Sequence, residues 1–167
     1  MSWTKYYKTS PAKITINFQR PDFIDTKLQG HRGPFDPVLN GLYYLIGLNK
    51  WQLKQRDFPL LYKSGIYYYT KPPATDWHDI PSLLIEGKGD CKDLTAYRIA
   101  ELSHYYGIEC KPLIKWKWTH IWKHEDDYGN PIKPYKAKVL LVHVFLQWPN
   151  GYIEDPSKIL GMGGEYT

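Results

Sequence analysis

The chain has 167 residues, 43% of them apolar and 23% charged, which suits one folded domain with a sizeable core and excludes a low-complexity or disordered polymer. Two cysteines, Cys91 and Cys110, are too few for a disulfide scaffold. The formal charge of +5 favours anionic partners, but the lysines are scattered along the sequence and no nucleic-acid-binding motif is present, so no nucleic-acid partner is expected.

Residues 1–35 carry no strong period and read as an N-terminal arm or an extension of the domain. One short strand is expected there, where Ile14, Ile16 and Phe18 alternate with Thr15 and Asn17. The first residues lack the apolar core of a secretory signal. The longest apolar run, Val139 to Leu146, is broken by His143 and is too short to span a bilayer. The expectation is a soluble protein without membrane insertion, cytoplasmic by default, with assembly into a larger particle such as a virion left open.

Residues 36–167 read as a single globular unit. Asp36-Pro37 resembles an N-cap followed by proline at the first helical position. Leu39, Leu42, Tyr43, Ile46 and Leu53 recur at helical spacing and predict a helix over 37–54, interrupted by Lys50. Ile66 to Thr70 is rich in β-formers. A short helix is expected from Ile80 to Glu86, broken by Gly87-Lys88-Gly89. The next helix runs from Cys91 to Tyr106, capped by Asp90 and stopped by Gly107.

From Ile108 the period changes to two, and a strand with one wet face runs through Trp118. Thr119 to Tyr135 reads as a polar loop. Ala137 to Trp148 is apolar on both faces and predicts a central strand. Pro149-Asn150-Gly151 is a hairpin signal, Tyr152 to Asp155 the return strand, and Pro156 its end. Helix followed by antiparallel sheet is an α+β layout.

Within that layout, Gly89-Asp90-Cys91-Lys92-Asp93-Leu94 places a cysteine in the first turn of a helix. A helix N-terminus and a nearby imidazolium both favour the thiolate, which is the nucleophile. Free N–H groups of that turn could also hold an oxyanion. Gly87 and Gly89 would let backbone and substrate approach closely. His143, inside an apolar strand, is costly to bury without partners. Asp155 follows after a turn. A two-residue Asn150-Gly151 loop would put Asp155 and His143 on opposite faces, whereas a three-residue Pro149-Asn150-Gly151 loop, with Gly151 left-handed, pairs Phe145 with Asp155 and puts both on one face. The bland readings are a buried apolar cysteine, a satisfied core histidine, and an Asx turn before Pro156.

Other residues carry weaker signals. Trp77, Gly89 and Lys92 are candidates to line the site or supply an oxyanion donor; for Trp77 and His78, packing and solvation are the simpler reading. Trp116, Trp118 and Trp122 suit either a peptide- or glycan-binding strip or a strand packed on the N-terminal helix. Arg98 reads as a structural ion-pair donor. His120, His124, Asp126 and Asp127 lack a fixed third ligand, so no metal and no cofactor is expected.

Gly89 to Ala96, followed by Gly107-Ile108, resembles the Cys box of transglutaminase-like proteins. Trp77 to Gly87 resembles the segment before the nucleophile in bacterial transglutaminase-like cysteine proteinases. His143-Val144 resembles the His box, and Trp148 to Ser157 the Asp box, in the family order. The resemblance spans residues 75–160. It implies a papain-like core, with N-terminal helices and the catalytic helix packed on an antiparallel sheet. It implies Cys91 as nucleophile, His143 as general base and acid, and Asp155 as orienter. The expected function is a cysteine hydrolase of amide bonds, a peptidase, acting on a protein or peptide. Acyl transfer from glutamine by the same triad, and a non-catalytic structural or binding module, are the alternatives.

Overall fold

The computed structural model describes residues 14–15, 36–70, 76–125 and 130–163. The arm expected over 1–35 lies outside these residues except for β1 (Ile14–Thr15). The described chain is mixed α+β. After β1 come α1 (Asp36–Gln55), a 3₁₀ turn (Leu61–Lys63), β2 (Tyr67–Tyr68), β3 (Asp76–Trp77), α2 (Ile80–Glu86) and β4 (Lys88–Gly89). Then follow α3 (Cys91–Tyr106), β5 (Lys111–Glu125), β6 (Pro131–Gln147), β7 (Ile153–Glu154) and α4 (Pro156–Ile159). Among the described residues no helix is long and apolar enough to cross a membrane.

Helix α3 is bounded by its own sequence. The Asp90 carboxylate accepts from the N–H groups of Lys92 and Asp93, and Gly107 closes the far end at φ 65°, returning its N–H to the Leu102 and Ser103 carbonyls. The helix then packs on two sides. Ala96, Ile99 and Leu102 join Leu42, Leu45 and Ile46 of α1, Trp77, Cys110, and Val144 and Leu146 of β6. Leu94, Tyr97 and Ala100 join Leu53, Phe58, Leu61, Ile66, Ile80 and Leu83. α3 therefore separates two apolar clusters, and its burial from Lys92 to Leu102 is nearly continuous.

The main sheet has the order β5-β6-β7, antiparallel throughout. One expectation is corrected here. The polar loop placed at Thr119 to Tyr135 is mostly strand: Thr119 pairs with Val139, Ile121 with Ala137 and Lys123 with Tyr135. Its polar residues suggested a loop, but exposed His120, Trp122 and His124 alternate with half-buried Thr119, Ile121 and Lys123, the pattern of a strand with one wet face. The central strand expected over Ala137 to Trp148 is β6, which lies between β5 and β7. Only Leu146 and Gln147 pair with β7, opposite Glu154 and Ile153.

That register is the odd one. Trp148 and Tyr152 close the loop through Trp148 N–H to the Tyr152 carbonyl at 2.9 Å, leaving Pro149, Asn150 and Gly151 between them. Gly151 stands at φ 87°. Continued by one residue, the pairing sets Asp155 opposite Phe145. Pro156 ends the strand, but it also begins α4, capped by Asp155.

Two smaller pairings position the loop before Cys91. β1 runs antiparallel to β3, Ile14 opposite Trp77. β2 runs parallel to β4, Tyr68 opposite Gly89, and Tyr68 N–H also reaches the Leu160 carbonyl at 2.8 Å. Gly89 is buried there, and a Cβ on it would stand 2.4 Å from Leu83 Cδ2 and 3.3 Å from Leu94 Cδ2. Gly89 thus serves core packing rather than space for substrate, and Gly87, at φ 69°, serves as the left-handed C-cap of α2.

Gly89→Ala is therefore expected to lower unfolding free energy by about 1–3 kcal/mol, through overpacking against Leu83. Gly47→Ala, in α1 with open space at its Cβ, is expected to raise it by about 0.5–1 kcal/mol. Urea unfolding monitored by circular dichroism reads both.

Candidate active site

Cys91 is the first residue of α3 and packs, half-buried, against the cluster formed by α1, α3 and β6. One turn later the Thr95 hydroxyl donates to the Val144 carbonyl at 3.2 Å. The Val144 backbone also acts on the Cys91 sulfur, pulling its pKa down. Positions 91 and 95 share a helix face, so α3 grips β6 at the residue after His143.

His143 is joined to Asp155 across the hairpin, Nε2 to Oδ2 at 2.8 Å. The other Asp155 oxygen, Oδ1, accepts from Ser157 N–H at 3.2 Å and Lys158 N–H at 3.4 Å. Asp155 thus caps α4 with one oxygen and meets the imidazole with the other. Burial acts to raise its pKa, but the His143 hydrogen bond, the His143 charge and the helix N–H outweigh it, and the carboxyl is held below its ordinary range. Asp155 is therefore ionised at neutral pH and accepts the proton on Nε2. The neutral ring then has its lone pair on Nδ1.

The thiol's own surroundings do not favour the thiolate. Burial, with the Asp90 carboxylate second, pushes the Cys91 pKa up to about 12; the Val144 backbone and Lys92 pull the other way without prevailing. Among the described residues the sulfur makes no hydrogen bond to the His143 ring. The expected stored thiolate is replaced by a neutral thiol turned to the Val144 backbone. Burial comes first and the anionic cap adds to it, so the position at a helix N-terminus does not lower the pKa.

A buried charge cluster surrounds this first turn. The Lys92 ammonium is hydrogen-bonded to Asp90, stands 3.6 Å from Asp93 Oδ1, and lies 5.7 Å from the Trp77 ring centroid. Burial opposes its charge, but Asp93 and Asp90 outweigh burial and raise its pKa. Asp93 also accepts from the His78 backbone N–H at 3.0 Å and His78 Nδ1 at 3.1 Å, while His78 Nε2 faces Glu86 at 3.4 Å. The Asp93 hydrogen bond leads a set of interactions that raise the His78 pKa. The Asp93 carboxylate, read from sequence only as a first-turn charge, is the clasp between the 77–78 segment and α3.

These contacts correct the oxyanion candidates. Lys92 offers neither group, since its N–H goes to Asp90 at 3.1 Å and its ammonium to the two aspartates. Trp77 is 4% exposed and belongs to the core. Asp90 also takes the Asp93 N–H. The Cys91 N–H is the first-turn amide that this cap leaves unused.

Arg98 is an ion-pair donor, as read from sequence: Nε reaches Glu154 at 2.7 Å and a terminal nitrogen reaches Glu101. Glu154 also accepts from Trp148 Nε1 at 2.8 Å, which fastens the hairpin to α3 behind the site. Both cysteines are free, and Cys110 is buried just before β5. His120 and His124 are exposed on β5, and four residues of strand separate them by about 13 Å. Asp126 and Asp127 lie outside the described residues. Among the described residues no group of three or more His, Cys, Asp or Glu could hold a metal.

No protein-family model, curated protein or solved structure matches this chain.

Alkylation of Cys91 by iodoacetamide is expected to be slow at pH 7 and still rising at about pH 10, beyond the ordinary thiol value of about 8.5. A rate plateau below pH 7 would contradict the neutral thiol. The linkage has a definite sign. Unfolded Cys91 releases its proton from about pH 8.5 while the folded thiol holds it until about 12, so this group's contribution to stability is full below the first value and falls as pH rises between the two.

Proposed function

We propose that the chain is a cysteine-nucleophile hydrolase of amide bonds, a peptidase with the catalytic set Cys91, His143 and Asp155. The observation that carries this reading is the His143–Asp155 hydrogen bond at 2.8 Å, one residue from Val144, whose backbone acts on the Cys91 sulfur. The α+β layout, with a helix-initial cysteine against an antiparallel hairpin bearing His and Asp, supports a papain-like core of the transglutaminase-like kind.

The chemistry is general-base rather than ion-pair. The thiol turns from Val144 toward the ring, and its proton passes to His143 Nδ1 as sulfur attacks the amide carbonyl. The S–C bond forms and the carbonyl oxygen becomes an oxyanion, within reach of the Cys91 N–H. Collapse breaks the C–N bond, and His143 returns the proton to the leaving amine. Water, deprotonated by the same imidazole, then attacks the thioester and releases a carboxylic acid and the thiol. Asp155 stabilises the imidazolium in both halves and fixes which nitrogen is basic. An amine in place of water would give acyl transfer by the same residues.

The neutral thiol favours one other reading, a non-catalytic module on the same fold. Variants distinguish the two. Cys91→Ala and His143→Ala are expected to abolish acyl-enzyme formation, observed by mass spectrometry with an activated peptide ester, and to leave the fold intact. Asp155→Asn is expected to lower turnover by about 10³–10⁴-fold with substrate affinity retained, because the tautomer is lost. An acyl adduct that forms equally in His143→Ala would return Cys91 to a structural role.

A further inference from the structure

His78 lies between β3 and α2, and its ring has a carboxylate at each end. Nδ1 meets Asp93 Oδ2 at 3.1 Å, and Nε2 faces Glu86 Oε1 at 3.4 Å. The two carboxylates belong to different helices. Asp93 sits in the first turn of α3, and Glu86 is the last residue of α2. They also differ in exposure, the Asp93 side chain being 1% exposed and the Glu86 side chain 45%. Asp93 holds His78 twice, since it also accepts from the His78 backbone N–H at 3.0 Å. The ring is thus anchored on α3, and Glu86 is the end that can leave.

A neutral imidazole has one N–H and one lone pair. Asp93 takes the N–H, because leaving a buried carboxylate without that donor costs more than leaving exposed Glu86 without it. The lone pair on Nε2 then points at the Glu86 carboxylate. An imidazolium donates from both nitrogens. Protonation therefore reverses the sign of the Glu86 contact, from repulsion to a charged pair.

We propose that His78 is a pH-dependent tie between α2 and α3, closed as the imidazolium and released as the neutral ring. The other charges around it do not undo this. On α3, the Lys92 ammonium opposes the imidazolium, but it stands 3.6 Å from Asp93 Oδ1 and is hydrogen-bonded to Asp90. The Asp90 pKa is pushed up to about 6, by burial first and by Asp93 second. Asp79, the cap of α2, is turned to Ser82 and Gln52, and the Lys88 ammonium of β4 lies over the Tyr69 ring. The balance raises the His78 pKa, with the Asp93 hydrogen bond the largest cause. The tie's contribution to stability is accordingly full below the ordinary histidine value of about 6.5 and is lost as pH rises through the folded value. What it holds is the chain entering the site. Gly87, β4 and Asp90 lead from Glu86 to Cys91, so the tie closes a loop from the end of α2 to the first turn of α3.

The test uses the full-length protein and needs no substrate. The His78 Cε1–H resonance, assigned by its absence from His78→Gln, is followed by NMR from about pH 5.5 to about 8.5 beside the backbone amides of Glu86, Gly87 and Lys88. The imidazole midpoint is expected above about 6.5, and the three amides are expected to shift with the same midpoint. Glu86→Gln removes only the exposed partner and is expected to lower the His78 midpoint by about 0.3 pH unit or more. His78→Gln is expected to remove the amide transition at that midpoint. Asp90 is present in all three proteins, so its titration cancels in the comparison. A His78 midpoint at or below about 6.5, a midpoint unchanged in Glu86→Gln, or an amide transition of the same midpoint and size in His78→Gln would overturn the tie.

Discussion

Val144 is the point on which the molecule turns. Its carbonyl receives Thr95 and its backbone meets the Cys91 sulfur, so the first turn of α3 is fixed to β6 by the main chain rather than by side-chain packing alone. Val144 itself is 1% exposed in the cluster shared with α1. Because side chains alternate along a strand, the residue before it must point to the other face, where His143 meets the hairpin's return strand. One helix–strand contact therefore fixes where Cys91 and His143 stand relative to the strand.

The remaining placement comes from buried charge. Glu154, beside Asp155, is held by Arg98, Trp148 and Tyr62, which binds the return strand to α3 and to the 3₁₀ turn. Burial, reinforced by the Glu154 carboxylate, pushes the Tyr62 phenol pKa up. On the other side of Cys91, Asp90, Lys92, Asp93 and His78 form a second cluster. Removing one member of either cluster would leave a buried charge uncompensated, which is far more costly than the pair is stabilising. The arrangement favours position over reactivity: burial and the anionic Asp90 keep the thiol neutral.

Much of this was legible in sequence, for identifiable reasons. Asp90 and Gly107 punctuate α3, so its bounds can be read directly. The hairpin register follows from requiring His143 and Asp155 on one face, together with a glycine where φ is positive. The extended ribbon was not legible, because polar residues on the wet face of a strand, with Thr119 and Lys123 on the other, look like loop residues. α4 was hidden because Pro156 ends a strand and opens a helix at once. Neither the role of Gly89 nor the rise of the Cys91 pKa can be read from local spacing. The first depends on Leu83, and the second on how deeply a helix-initial cysteine and its anionic cap are buried.

The central claim is that the Asp155 carboxylate holds a proton on His143 Nε2 and leaves Nδ1 as the base. Long-range ¹H–¹⁵N correlation spectra of the imidazoles report the tautomer directly. At a pH where the ring is neutral, the account predicts that His143 gives the Nε2–H pattern, and that Asp155→Asn removes this preference. An Nδ1–H pattern for His143, or an Nε2–H pattern indifferent to Asp155→Asn, would contradict it.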